Sequence, residues 1–145
     1  MVLKRMKNIL IVCTGNTCRS PMAEVLLKDR LEQLGKAEEY HVISRGVAAF
    51  FGQPASDNAI IALNEIGLDL TQHKAQRLEI DDIKNADLIY VMSNGHKEVI
   101  VSEVPESASK IKVLDIIDPY GLELEDYKIC RDALINIFKK EFPDA

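Results

Sequence analysis

The chain has 145 residues, 47% of them hydrophobic and 28% charged, enough for one core that holds without disulfide staples. A net charge of −5 and the lack of any basic run of five or more residues argue against a nucleic-acid partner. Three cysteines are too few, and too odd a number, for a secreted disulfide framework, so a cytoplasmic protein with functional or buried thiols is expected.

The N-terminal MVLKRMKN is basic, but the apolar run behind it, 9–12, is far too short for a signal peptide or a membrane span. No membrane partner is expected. That run, ILIV, reads as a first strand. Ala23, Leu27, Leu31 and Leu34 then recur at i, i+4, i+8 and i+11, one face of a helix that Gly35 ends. His41 to Ser44 (HVIS) reads as a second strand. Ser56 is the expected N-cap of a helix with Ala59, Leu63 and Ile66 on one face and Gly67 at its stop. Leu88 to Met92 (LIYVM) reads as a third strand, followed by a short helix before Pro105, and Ile111 to Asp115 (IKVLD) as a fourth. From about Glu125, Tyr127, Cys130, Leu134 and Ile137 mark a final helix.

No repeat, low-complexity tract or linker divides the chain, so residues 1–145 are expected to form a single domain. Apolar strands alternating with helices predict a three-layer α/β fold, a four-stranded parallel sheet covered on both faces. Ligands in such folds sit beyond the C-terminal ends of the strands, near a topological switch point. Cys13 at the end of the first strand and Asp118 beyond the fourth are candidates for that rim.

The stretch CTGNTCRSP, Cys13 to Pro21, has the makings of an anion cradle with a nucleophile at its base. A strand-to-helix turn exposes successive N–H groups, and the helix N-terminus adds partial positive charge. Pro21 suits a first helical position with Ser20 as the cap before it. Gly15 and Asn16 tolerate the dihedrals of a tight loop. Arg19 offers a planar fork matched to two phosphate oxygens. The same positive elements are expected to lower the Cys13 pKa and hold a thiolate. A metal is a poor fit, because Cys13 and Cys18 lack a second pair at ligand spacing and His41, His73 and His96 are scattered. The nucleotide-binding P-loop is excluded, since no Lys precedes Ser20.

The whole string closely resembles the C-x-G-N-x-C-R-S-P signature of the low-molecular-weight protein tyrosine phosphatase family. SRG (Ser44 to Gly46), HKAQRL (His73 to Leu78) and DPY (Asp118 to Tyr120) resemble further family markers, in order along most of the chain. The resemblance implies a flavodoxin-like topology, phosphorylated protein substrates, no metal or other cofactor, and a two-step reaction. In that reaction Cys13 attacks phosphorus, and Asp118 serves first as acid and then as base. Arg19 and the segment Thr14, Gly15, Asn16, Thr17 and Cys18 hold the phosphoryl oxygens, and Ser20 assists the thiolate. Asn16, Ser44 and His73 support the loop, and Tyr120 lines the cleft. GVAAFFGQP does not align cleanly with the family's aromatic segment, which leaves Phe50 open between cleft wall and ordinary aromatic. Nothing in the sequence sets the oligomeric state; a monomer is the simplest expectation.

Two departures bear on the substrate. Tyrosine-specific members carry an aliphatic residue at the position of Thr17 and often an aromatic at that of Gly121. Thr17 with DPYG and the later Tyr127 resembles instead the bacterial protein-arginine phosphatase branch, which points towards phosphoarginine with phosphotyrosine as the alternative. Arsenate reductases with a similar loop relay a disulfide through further cysteines near the third strand, and residues 76–104 contain none. Cys18 is open between packing under the loop and a reversible disulfide with Cys13. An inactive phosphate-binding module is the non-enzyme reading, and Cys13, Arg19 and Asp118 together argue against it.

Overall fold

The computed structural model describes residues 5–144; of the basic N-terminal segment, Met1 to Lys4 lie outside the described residues. Four parallel strands, β1 (Lys7–Cys13), β2 (Tyr40–Gly46), β3 (Leu88–Val91) and β4 (Ile111–Val113), form one sheet in the order β2-β1-β3-β4. The helices are α1 (Arg19–Gln33), α2 (Asp57–Asn64), α3 (Ile80–Asn85), α4 (Asn94–Glu103) and α5 (Leu124–Glu141).

The apolar run of β1 is explained by its central place. Ile9, Ile11 and Cys13 face a core shared with Met22 and Leu27 of α1, Leu63 of α2, and Leu134 and Phe138 of α5. Leu10 and Val12, on the opposite face, pack with Ile83 of α3 and Ile100 of α4. A strand buried on both faces shows no polar alternation. The helix after β1 lies on one side of the sheet and the helix after β3 on the other. The crevice between the ends of β1 and β3 is therefore the switch point where a ligand is expected.

Several expectations need correction at the level of local structure. β2 extends beyond HVIS at both ends, while β4 stops at Val113, two residues short of Asp115. Cys18, not Ser20, occupies the N-cap of α1, so Pro21 falls at the third helical position rather than the first. Ser56 does stand at the N-cap of α2, but its side chain makes no capping bond. Ile66 lies past the end of α2 and is exposed, because the chain turns away through Gly67 in the left-handed region, φ +81°. α3 was not expected; a reciprocal capping box between Glu79 and Asp82 starts it. The final helix buries Tyr127, Cys130 and Leu134 as anticipated, and Ile137 is half-buried. No helix among the described residues is long and apolar enough to cross a membrane.

Candidate active site

At the end of β1 the chain bends sharply from Cys13 into a loop that leads to α1. The carbonyls of Cys13 and Thr14 accept hydrogen bonds from the N–H groups of Val47 (3.0 Å) and Ala48 (2.9 Å), and that of Thr17 accepts one from Ser56 (2.9 Å). With these carbonyls committed to neighbouring backbone, the loop offers its N–H groups to a ligand, and those of Asn16 and Ser20 already bond the Cys13 sulfur. β2 must come very close for this to happen. A Cβ on Gly46 would lie 2.6 Å from the Thr14 carbonyl oxygen and 2.9 Å from the Asn16 nitrogen. The glycine of SRG is thus a matter of space.

Asn16 is fully buried at φ +55°, a left-handed conformation that asparagine tolerates better than most residues. Its side-chain amide donates to the Oγ atoms of Ser20 (2.8 Å) and Ser44 (3.0 Å), and its Oδ1 accepts from the Gln76 N–H (3.0 Å). His73 Nε2 lies 2.6 Å from the Asn16 carbonyl oxygen and so carries the proton. Asn16, Ser44 and His73 therefore converge on one another.

Because Ser20 Oγ accepts from Asn16, its own hydrogen is free to point at Cys13 Sγ, 2.8 Å away. Burial pushes the Cys13 thiol above its ordinary value, while the Ser20 hydroxyl, the Ser20 and Asn16 N–H groups and the Arg19 charge pull it back down. The expectation of a thiol lowered by its positive surroundings is corrected here. At 2% exposure, loss of water outweighs those surroundings.

Arg19 is buried at the loop's end. Its Nη1 donates to the Ile116 carbonyl (3.0 Å), and its Nη2 lies 3.5 Å from Oδ2 of Asp118. Asp118 is half-exposed, and its other oxygen accepts the Tyr120 N–H at 3.1 Å. Cys13, Thr17, Cys18, Arg19, Phe50, Gln53, Asp118 and Tyr120 line one cleft of about 260 Å³, with Cys13 at its floor and the exposed rings of Phe50 and Tyr120 at its rim. Cys18 turns away from the helix it precedes. Its thiol donates to Ser56 Oγ (3.3 Å) and lies 3.6 Å from the Tyr127 hydroxyl. Cys130 is buried on α5, where burial pushes its thiol up to about 12.

Two contributors were missed. His96, scattered in sequence, is buried beside the loop with Nε2 2.9 Å from Thr14 Oγ1, and Gln53 lines the cleft. His96 stands 82 residues from its partner, so no local pattern reveals the contact. Among the described residues no three His, Cys, Asp or Glu side chains converge as a metal ligand set.

The geometry agrees with what comparison with known proteins returns. The family model described as low molecular weight phosphotyrosine protein phosphatase matches residues 8–140. A protein-arginine-phosphatase of Geobacillus stearothermophilus is 41% identical over 135 residues, covering 87% of each chain. A probable low molecular weight protein-tyrosine-phosphatase, EpsP, of Ralstonia nicotianae is 37% identical over 128 residues, covering 84% of each. An arsenate reductase of Bacillus cereus is 30% identical over 138 residues, covering 95% of this chain and 96% of the relative. The crystal structure of a low molecular weight protein tyrosine phosphatase from T. tengcongensis superposes with a TM-score of 0.87 at 41% identity, covering 93% of this chain and 97% of that one.

Proposed function

Because this chain belongs to the low molecular weight phosphotyrosine protein phosphatase family of cysteine-dependent hydrolases, we propose that it removes phosphoryl groups from protein side chains, with phosphoarginine preferred. The observation that carries the reading is the convergence of Cys13, Arg19 and Asp118 on one cleft. Cys13 Sγ attacks phosphorus in line, and the bond from phosphorus to the leaving nitrogen or oxygen breaks as the Asp118 carboxyl delivers a proton to it. Asp118, now a carboxylate, takes a proton from the water that hydrolyses the cysteinyl-phosphate. Phosphate and the Cys13 thiolate are released. Arg19 and the loop N–H groups from Thr14 to Arg19 hold the equatorial oxygens, and Ser20 steadies the thiolate as nucleophile and as leaving group.

Phosphoarginine is favoured by Thr17. Thr17 lines the cleft with Asp118, and a threonine hydroxyl is an acceptor that a guanidinium's N–H groups can use. The name of the Geobacillus relative supports the same choice. Phosphotyrosine is the second reading, on the strength of the exposed rings of Phe50 and Tyr120, which offer stacking surface. Arsenate reduction is disfavoured, since the remaining thiol, Cys130, is buried in α5 rather than placed to relay a disulfide. Three unpaired thiols suit the reducing cytoplasm.

The deciding experiment is side-by-side turnover of a phosphoarginine and a phosphotyrosine peptide by wild type and Thr17→Ile. Wild type should favour phosphoarginine, and the variant should shift towards phosphotyrosine. Equal ratios in the two proteins remove Thr17 as selector. No turnover of either peptide or of an aryl phosphate by folded protein favours the binding module.

A further inference from the structure

The Asn16 network braces the loop on the flank of β2. β1 is central, however, so the loop also has a flank towards β3, and there a separate set of contacts reaches it. Hydrogen bonds from the Met92 N–H to the Val12 carbonyl (3.1 Å) and from the Ile116 N–H to the Met92 carbonyl (2.9 Å) carry the sheet right up to the turn that starts α4. Ser93 stands at the N-cap of α4, the place where a serine hydroxyl ordinarily satisfies a helix N–H, yet it makes no capping bond. Its Oγ lies instead 2.9 Å from Nδ1 of His96, and the other ring nitrogen lies 2.9 Å from Thr14 Oγ1. The imidazole is buried at 5% exposure with both nitrogens engaged, whereas Thr14, at the lip of the cleft, is exposed.

Thr14 is consequently held from two sides. Ala48 of the β2 flank fixes its carbonyl at 2.9 Å, and His96 of the β3 flank fixes its hydroxyl. Val47 holds the carbonyl of the Cys13–Thr14 peptide at 3.0 Å, and with Thr14 itself anchored on both sides that peptide, which carries the first N–H beyond the nucleophile, has little freedom to rotate. We propose that His96, oriented by Ser93, is a positioning residue that aims the Thr14 N–H at an equatorial oxygen of the phosphoryl group in transfer. The role rests on the phosphatase reading above. It acts through Thr14, and His96 itself touches neither substrate nor sulfur. Preorganised donors count most where charge and geometry change, so the contribution falls on the five-coordinate transition state more than on bound tetrahedral phosphate.

The test uses the full chain, an aryl phosphate as substrate, and two inhibitors, inorganic phosphate and orthovanadate, the latter imitating the five-coordinate state. In His96→Ala, kcat should fall about ten-fold with KM within about two-fold, the pattern of an interaction made mainly in the transition state. Inhibition by vanadate should weaken by a similar factor and inhibition by phosphate by much less. Thr14→Val should reproduce these changes, Thr14→Ser should keep several-fold more kcat than Thr14→Val, and the double variant His96→Ala/Thr14→Val should be no worse than either single one. Additive losses in the double variant, equal weakening of vanadate and phosphate, or an unchanged kcat in either single variant overturns the proposal. Should His96→Ala fail to fold, Thr14→Val against Thr14→Ser decides alone, and equal kcat in that pair overturns it. An inactive wild type would remove the phosphatase reading and this role together, whereas an active wild type matched by Thr14→Val removes only the role.

Discussion

Replacing Gly46 by alanine tests whether the loop's shape depends on the close approach of β2. The new Cβ would meet three atoms: the Thr14 carbonyl oxygen at 2.6 Å, the Asn16 nitrogen at 2.9 Å and Ala49 Cβ at 2.9 Å. Two are backbone, and the third is a Cβ fixed to it, so no side-chain rotation relieves the clash. The Thr14 oxygen must retreat by 0.4 Å to reach 3.0 Å and by 0.8 Å to reach ordinary contact at 3.4 Å. It belongs to the residue that follows the nucleophile. Overpacking of this kind costs about 1–3 kcal/mol, which leaves the chain folded but lowers its Tm by roughly 3–12 °C. A displacement approaching 1 Å in a reacting array costs up to about 10²-fold, so kcat/KM should fall roughly 10- to 100-fold. Aryl-phosphate kinetics and a thermal melt measure the two effects. Gly95→Ala is the control, since its Cβ would meet only Ser93 Oγ at 3.6 Å and a helical alanine is favoured by about 0.5–1 kcal/mol. Wild-type kcat/KM and Tm in Gly46→Ala would refute the reasoning.

Ser20→Ala removes one of the interactions that lower the Cys13 pKa, so the thiol rises further and the acidic limb of kcat/KM, which follows thiolate formation, moves to higher pH; an unmoved limb contradicts this. Asp118→Asn keeps the shape and removes the transferable proton, and kcat should drop about 10²- to 10⁴-fold, least for substrates with good leaving groups. An equal loss across leaving groups would take the acid role from Asp118. In the reversible-disulfide reading of Cys18, peroxide oxidises the Cys13 thiolate to a sulfenic acid and the Cys18 thiol condenses with it, expelling water to leave a disulfide. Dithiothreitol should therefore restore peroxide-treated wild type and fail to restore Cys18→Ser, and equal recovery of the two excludes a protective role.

What could be read from the residues was what is local. Cys13, Arg19 and Ser20 share one turn, so the spacing of nine residues reveals their company, and the strand-helix alternation reveals the sheet. The extent of elements was less legible. Ser20 and Ser56 both look like helix caps by residue type, but their hydroxyls serve thiols instead, Cys13 and Cys18, a preference set by tertiary neighbours. α3 was missed because glutamate is an uncommon cap and six residues show too little periodicity. The Cys13 pKa was misjudged because burial is a property of the fold rather than of the loop. His96 escaped because it matters only through a contact with a residue 82 positions away.

The proposed nucleophile and the proposed acid stand on supports of very different strength. Cys13 closes a seven-residue strand paired on both sides, whereas Asp118 follows a three-residue strand at the sheet edge, and from Asp118 to Leu122 the backbone bonds are local turns. Amide hydrogen exchange should accordingly be slow at the end of β1 and fast around Asp118, with the two regions opening independently. Warming would then strip the site of Asp118, the proposed proton donor, before Cys13. Phosphoryl groups on poor leaving groups would stop turning over at temperatures where activated ones still react, so the span of usable substrates should narrow with heat well below the melting of the fold.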